Sequence, residues 1–105
     1  MKKMLNQIVL VGRMVEEIEL KKDESERVHA ECVLAIPRSY KNDLGMYDTD
    51  FIPVKIFGGV AENTSNFCNK GDIIGIRGRI ENNNNELIII ADKVTFLSSR
   101  KVGEE

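Results

Sequence analysis

At 105 residues, with 42% hydrophobic and 30% charged content, the chain has the make-up of one soluble globular domain with a modest core. A run of about 18 apolar residues, enough for a membrane helix, is absent, and Ile8–Val11 after Met1-Lys2-Lys3 is too short for a secretory signal. The net charge of −2 excludes a uniformly basic surface.

Leu5–Gly12 (L-N-Q-I-V-L-V-G) is apolar on both sides of its alternation, which predicts a strand covered on one face by the core and on the other by a second subunit. A bend at Gly12 lets it continue through Arg13–Leu20. Lys21–Glu26 is an all-polar turn. Arg27–Ile36 alternates, with Val28, Ala30, Cys32, Leu34 and Ile36 inward and Arg27, His29 and Glu31 outward. Pro37 is expected to end that strand, because it has no N–H for a ladder. Arg38–Thr49, turned by Asn42-Asp43 and Gly45, is predicted as a loop or hairpin tip carrying Arg38, Tyr40, Lys41 and Tyr47.

Asp50–Phe57 (D-F-I-P-V-K-I-F) is the most informative stretch. Ile52, Val54 and Ile56 alternate with Phe51, Pro53, Lys55 and Phe57, the mark of a strand with one face on a core. The other face should be small and polar where it meets water; here it carries two aromatic rings and a lysine. Flat π-faces beside positive charge are what a strand needs to stack bases and follow phosphates. Val60–Asn69 then places Val60, Thr64, Phe67 and Cys68 on one helical face, with Gly71 as the stop. Asp72–Glu81 returns to period 2, with Ile74, Ile76 and Ile80 inward, Arg77 and Arg79 outward, and Gly78 allowing a tight bend. Asn82–Asn85 is a turn tolerant of left-handed backbone, and Glu86–Leu97 is the last strand. Phe67, Phe96, Cys32 and Cys68 are assigned to the core, which implies free thiols in a reducing cytoplasm.

Five strands with one α-helix between the third and fourth predict an all-β fold, an OB-fold five-stranded Greek-key barrel over residues 1–97, with a short flexible terminus at 98–105. The charge is uneven: Glu16, Glu17, Glu19, Asp23, Glu24 and Glu26 crowd one segment, whereas Arg38, Lys41, Lys55, Lys70, Arg77 and Arg79 dominate the middle. Local field, not net charge, draws phosphates, so Arg38, Lys41, Lys55, Arg77, Arg79 and Arg13 are candidate phosphate contacts. A single histidine, His29, read as an exposed strand residue, leaves no nucleophile–base pair. Neither a P-loop nor zinc-ligand spacing is present, so no enzyme activity, cofactor, metal or small-molecule substrate is expected.

In its motifs the chain resembles the bacterial single-stranded DNA-binding (SSB) protein family. The motifs are N-x-I-x-L-x-G-R (Asn6–Arg13), L-A-I-x-R (Leu34–Arg38), D-F-I-x-V-x-I-F-G (Asp50–Gly58), A-E-N (Ala61–Asn63) and F-C-x-K-G-x-x-x-x-I-R-G-R-I (Phe67–Ile80). The resemblance implies an OB-fold that assembles as a homotetramer, or less often a dimer, and wraps single-stranded DNA without sequence preference in replication, recombination or repair. It also implies base stacking at Tyr40, Phe51 and Phe57. The chain departs from the family at the Asn82–Asn85 hairpin, which lacks an aromatic residue, and at its end, which lacks the family's long acidic-tipped tail. Those departures leave a second reading in play, an OB-fold interaction module of a primosome or recombination assembly with weak or no DNA binding.

Overall fold

The computed structural model describes Lys3–Ser99. Its elements are β1 (Ile8–Met14), β2 (Lys21–Lys22), β3 (Val28–Lys41), β4 (Tyr47–Phe57), α1 (Gly58–Phe67), β5 (Ile73–Asn83) and β6 (Glu86–Ser98). The sheet runs β1-β5-β6-β4-β3-β2, and β1 pairs again with β3, so five strands close into a barrel with the two-residue β2 as a flap on β3. All pairings are antiparallel except β4 with β6. This is the all-β OB-type barrel expected from sequence. The helix falls between the fourth and fifth strands because the flap adds one to the count.

Closure takes place where β1 changes partners. It pairs with β5 from Ile8 to Arg13 and with β3 at Arg13 and Met14. The crossing at Gly12 is close: a Cβ there would lie 2.7 Å from Ile36 Cγ1 and 3.1 Å from the Ala35 carbonyl oxygen. Beyond Met14 the chain leaves the sheet instead of continuing as a strand to Leu20. Asn6 extends the β1–β5 edge with its side chain, donating to the Ile80 carbonyl at 2.6 Å and accepting from the Ile80 N–H at 2.9 Å. At Gly78 β5 slips register against β6, and a Cβ would collide with the Ile90 carbonyl.

The inner face is filled by the residues that alternation assigns to it, among them Cys32, Leu34, Val54, Ile56 and Ile74, each 0% exposed. Burying a side chain of the Leu or Ile class contributes about 1.5–3 kcal/mol. The helix sets Ala61 and Thr64 against the barrel, a narrow stripe at i and i+3, and the extended C-cap residue Cys68 is buried beside it. Burial pushes the Cys32 thiol up to about 11, with Cys68 as the next contribution, and raises Cys68 as well. Both cysteines are free thiols.

Four expectations are corrected by tertiary packing. Phe67 is 72% exposed, because it sits on the flank of the narrow helical stripe in the last turn. Phe96 is 48% exposed and Ile80 36%, so neither belongs to the buried core, although Phe96 stands in register with the fully buried Ile74. The outward side of β1, for which a second subunit is the expected cover, is open in the single chain, with Val9 65% and Val11 51% exposed, and that expectation is not among the four. Strand β3 runs through Pro37 to Lys41, since Pro37 lies past the rungs to β1 and its outer edge there has no neighbour needing an N–H. The hairpin between β5 and β6 is also tighter than expected: only Asn84 (φ 53°) and Asn85 (φ 68°) turn the chain, both left-handed. Residues 100–105 of the expected flexible terminus lie outside the described residues.

Gly78→Ala should destabilise the fold by about 1–3 kcal/mol, the usual cost of overpacking. A chemical-denaturation midpoint equal to that of the unaltered chain would contradict the close approach at the β5–β6 bulge.

Candidate nucleic-acid interface

Because β4 is paired on both edges, its residues have no choice of face. Val54 and Ile56 point into the core, whereas Phe51 is 63% and Phe57 47% exposed, with Lys55 half-buried between them. Register with β3 sets His29 opposite Phe57, Glu31 opposite Lys55 and Ala35 opposite Phe51. The His29 and Phe57 ring centres are 6.2 Å apart with planes tilted by 39°, within the range of interacting rings. On the other edge, Lys55 and Arg79 are both in register with Ile90 of β6. Lys55 and Arg79 therefore stand in one row two strand spacings apart, about 10 Å. Ile90 between them is 6% exposed yet outside the core cluster, an apolar floor to the row.

Beyond the barrel, β3 and β4 continue as a ribbon that turns at Asn42, whose Oδ1 accepts from the Leu44 and Met46 N–H groups at 2.8 and 3.0 Å. Gly45 supplies the positive φ of 77°. The ribbon carries Tyr40 and Tyr47, 61% and 57% exposed, with Lys41 Nζ 5.8 Å from the centre of the Tyr47 ring. Arg38 grips both oxygens of Asp50 at 2.9 and 3.1 Å, lies 3.9 Å from Asp48, and donates to the Tyr40 hydroxyl at 3.4 Å. That clamp pushes the Arg38 guanidinium further up and holds the Asp50 carboxyl below its ordinary range, the side-chain hydrogen bond being the largest cause of each. By alternation Arg38 and Asp50 share the parity of Ile36, opposite to that of Phe51. The expected residues thus fall into a wall set (Phe51, Lys55, Phe57, Arg79) and a ribbon set (Arg38, Tyr40, Lys41).

The remaining cations sort by what already holds them. Arg79 is bound by Glu81 at 3.1 Å and Asp92 at 2.6 Å, and its guanidinium is raised, chiefly by the Glu81 hydrogen bond. Arg13 donates from Nη1 to the Gly71 carbonyl at 2.7 Å, tying β1 to the segment after the helix. Arg77 is exposed, with Lys93 opposite it on β6. Lys41, Lys55, Arg77 and Lys93 make no ion pair among the described residues. Sequence reasoning missed Lys93 and the pairing of His29 with Phe57, because both come from strand register between segments far apart in the chain.

A closed five-strand barrel with exposed rings and cations on one strand is an OB-fold of the oligonucleotide-binding architecture. A sequence model described as the single-strand binding protein family matches residues 5–96, and the chain belongs to that family. It is 37% identical to a single-stranded DNA-binding protein of Streptococcus mutans, over 96% of this chain and 67% of the relative. It is 41% identical to single-stranded DNA-binding protein 1 of Streptococcus pyogenes, over 79% of this chain and 64% of the relative. The alignments thus span about two thirds of these relatives' length. In fold it is similar to the single-stranded DNA binding protein from Thermus aquaticus, with a TM-score of 0.73, 20% identity, and coverage of 91% of this chain and 52% of that one. It is likewise similar to the SSB domain of a Synechococcus sp. protein, with a TM-score of 0.72, 20% identity, and coverage of 90% and 99%.

Asp50 is a carboxyl whose folded-state pKa is depressed by Arg38, so it stabilises the fold above the ordinary carboxylate range and loses that contribution as pH falls through it. Asp50→Asn should therefore flatten the acid limb of stability against pH below about pH 4, as measured by urea unfolding. An unchanged limb would show that the clamp contributes nothing to the fold.

Proposed function

We propose that this chain binds single-stranded DNA without catalysis and with little sequence preference, residues 1–97 forming the binding domain. The observation that carries the reading is the exposure of Phe51 and Phe57 on either side of Lys55, on a strand whose other face is sealed in the core. Bases stack on Phe51, Phe57 and, on the ribbon, Tyr40, since every base has a π-face and such stacking tolerates any sequence. Lys55, Arg77 and Lys41 attract phosphates directly. Arg38 and Arg79 contact phosphates by exchanging an exposed carboxylate partner, an exchange that costs little because exposed ion pairs are worth about 0–1 kcal/mol. Arg13, held by its bond to the Gly71 carbonyl, stands in one row with Ala35 and Phe51 and offers a further phosphate contact at the edge of the surface. The curated relatives are named for single-stranded DNA binding, which favours this reading over an interaction module that has lost it.

The setting is DNA replication, recombination or repair in the cytoplasm; among the described residues no helix is long and apolar enough to cross a membrane. The chain works as a homo-oligomer, a tetramer before a dimer. What supports assembly is the open outer side of β1: Val9, Val11 and Leu97 (50% exposed) form an apolar patch, with Val11 and Leu97 both beside Gly75.

In an oligo-dT titration followed by fluorescence, Phe51→Ala and Phe57→Ala should each weaken binding by about 1–3 kcal/mol and together remove most of it. Log affinity should fall linearly with log salt, by about 0.7 per phosphate neutralised. Full binding by the double variant, or an isotherm indifferent to salt, refutes the mechanism. Val11→Glu should lower the molar mass seen by light scattering, while an unchanged mass places the assembly surface elsewhere.

A further inference from the structure

Where β4 meets α1 the surface opens into a cavity of about 410 Å3, lined by Arg27, Val28, Phe57, Gly58, Gly59 and Glu62. Its size is that of a small-molecule site, and apart from Phe57 none of its lining residues takes part in the stacking mechanism above. One wall is the Phe57 ring, already braced by His29. Gly58 and Gly59 line it beside open space, where a Cβ would meet nothing within 4 Å.

Two opposite charges line this cavity without meeting. Glu62, one turn into the helix, makes no hydrogen bond or ion pair among the described residues. Arg27 is anchored from behind: its Nε lies 3.3 Å from Asp23 Oδ2, and its backbone N–H donates to Asp23 Oδ1 at 2.9 Å. The terminal amines of Arg27 make no hydrogen bond or ion pair among the described residues. A carboxylate and a guanidinium that line one slot and do not pair are suited to a flat ligand presenting donors on one edge and acceptors on another.

We propose that this cavity is a guanine pocket, which gives one position of an otherwise sequence-tolerant DNA path a preference for dG. The inference rests on the single-stranded DNA reading above. A carboxylate only accepts. Guanine is the DNA base with two adjacent donors, N1–H and N2–H, on its Watson–Crick edge, and these match the two oxygens of Glu62. Its O6 and N7 acceptors suit the amines of Arg27, the commonest specific arginine contact to a base. The ring stacks on Phe57 over Val28, the aromatic and apolar sandwich that holds bases out of a stack. Cytosine and adenine offer the carboxylate a single exocyclic amine donor each, and thymine offers one ring N–H.

The test is competition by fluorescence anisotropy with short dT oligonucleotides in which a single dG, dA or dC replaces each position in turn; single substitutions avoid guanine self-association. The expected result is one position at which dG binds about tenfold tighter than dT, within the range of a bidentate base contact, with dA and dC close to dT. Glu62→Gln, which turns one acceptor into a donor, should abolish the dG advantage; the residue is exposed, so the fold is not at stake. Arg27→Ala should reduce the advantage. Binding of plain dT without a dG advantage, an advantage that survives Glu62→Gln, or a larger effect of dA or dC each overturns the pocket alone. Failure to bind plain dT overturns the reading beneath it as well.

Discussion

The pairing of β4 on both edges is the constraint from which the binding surface follows. With β3 along one side and β6 along the other, the strand cannot rotate or slip without losing backbone hydrogen bonds. A slip of a single residue would carry Val54 and Ile56 into water and drive Lys55 and both rings into the core. The barrel therefore enforces the outward display of the rings with the free energy of its own core. The two glycines that permit closure act on function through this route. Gly12 lets β1 cross close to β3, and Gly78 lets β5 bulge against β6, which keeps the row Lys55–Ile90–Arg79 continuous across three strands.

Charge is arranged more economically than the overall balance suggests. Two arginines on the surface, Arg38 and Arg79, are each paired with two carboxylates, which more than offset their charge, while Lys41, Lys55, Arg77 and Lys93 make no ion pair among the described residues. Cations without a carboxylate partner therefore stand near the rings although the chain carries a net charge of −2. The carboxylate partners also keep the arginine side chains extended and ordered on the ribbon and wall, where they would otherwise sample many rotamers.

The parts of the chain that read correctly from sequence were those governed by period and local turn chemistry. Alternation in Arg27–Ile36 and Asp50–Phe57 assigned the inner residues Ala30, Cys32, Leu34, Val54 and Ile56 to the core where they are found. Asparagine-rich stretches marked both hairpin turns, and Asn42, Asn84 and Asn85 shape them through a side-chain acceptor and left-handed backbone. Phe67, Ile80 and Phe96 have the right period for burial, but period says nothing about which positions the rest of the fold covers. From sequence alone Pro37 reads as a stop; it is tolerated because it lies past the rungs between β3 and β1.

By itself the sequence determined which side chains of Arg27–Ile36 and Asp50–Phe57 lie on which face, because a two-residue repeat needs no knowledge of neighbours, and it located the rings at 51 and 57 beside a lysine. Only the tertiary structure decided which cations are already occupied, that His29 abuts Phe57, and that Arg27 and Glu62, thirty-five residues apart in the chain, line one cavity. These facts depend on register between strands distant in sequence, and register is set by closing the barrel.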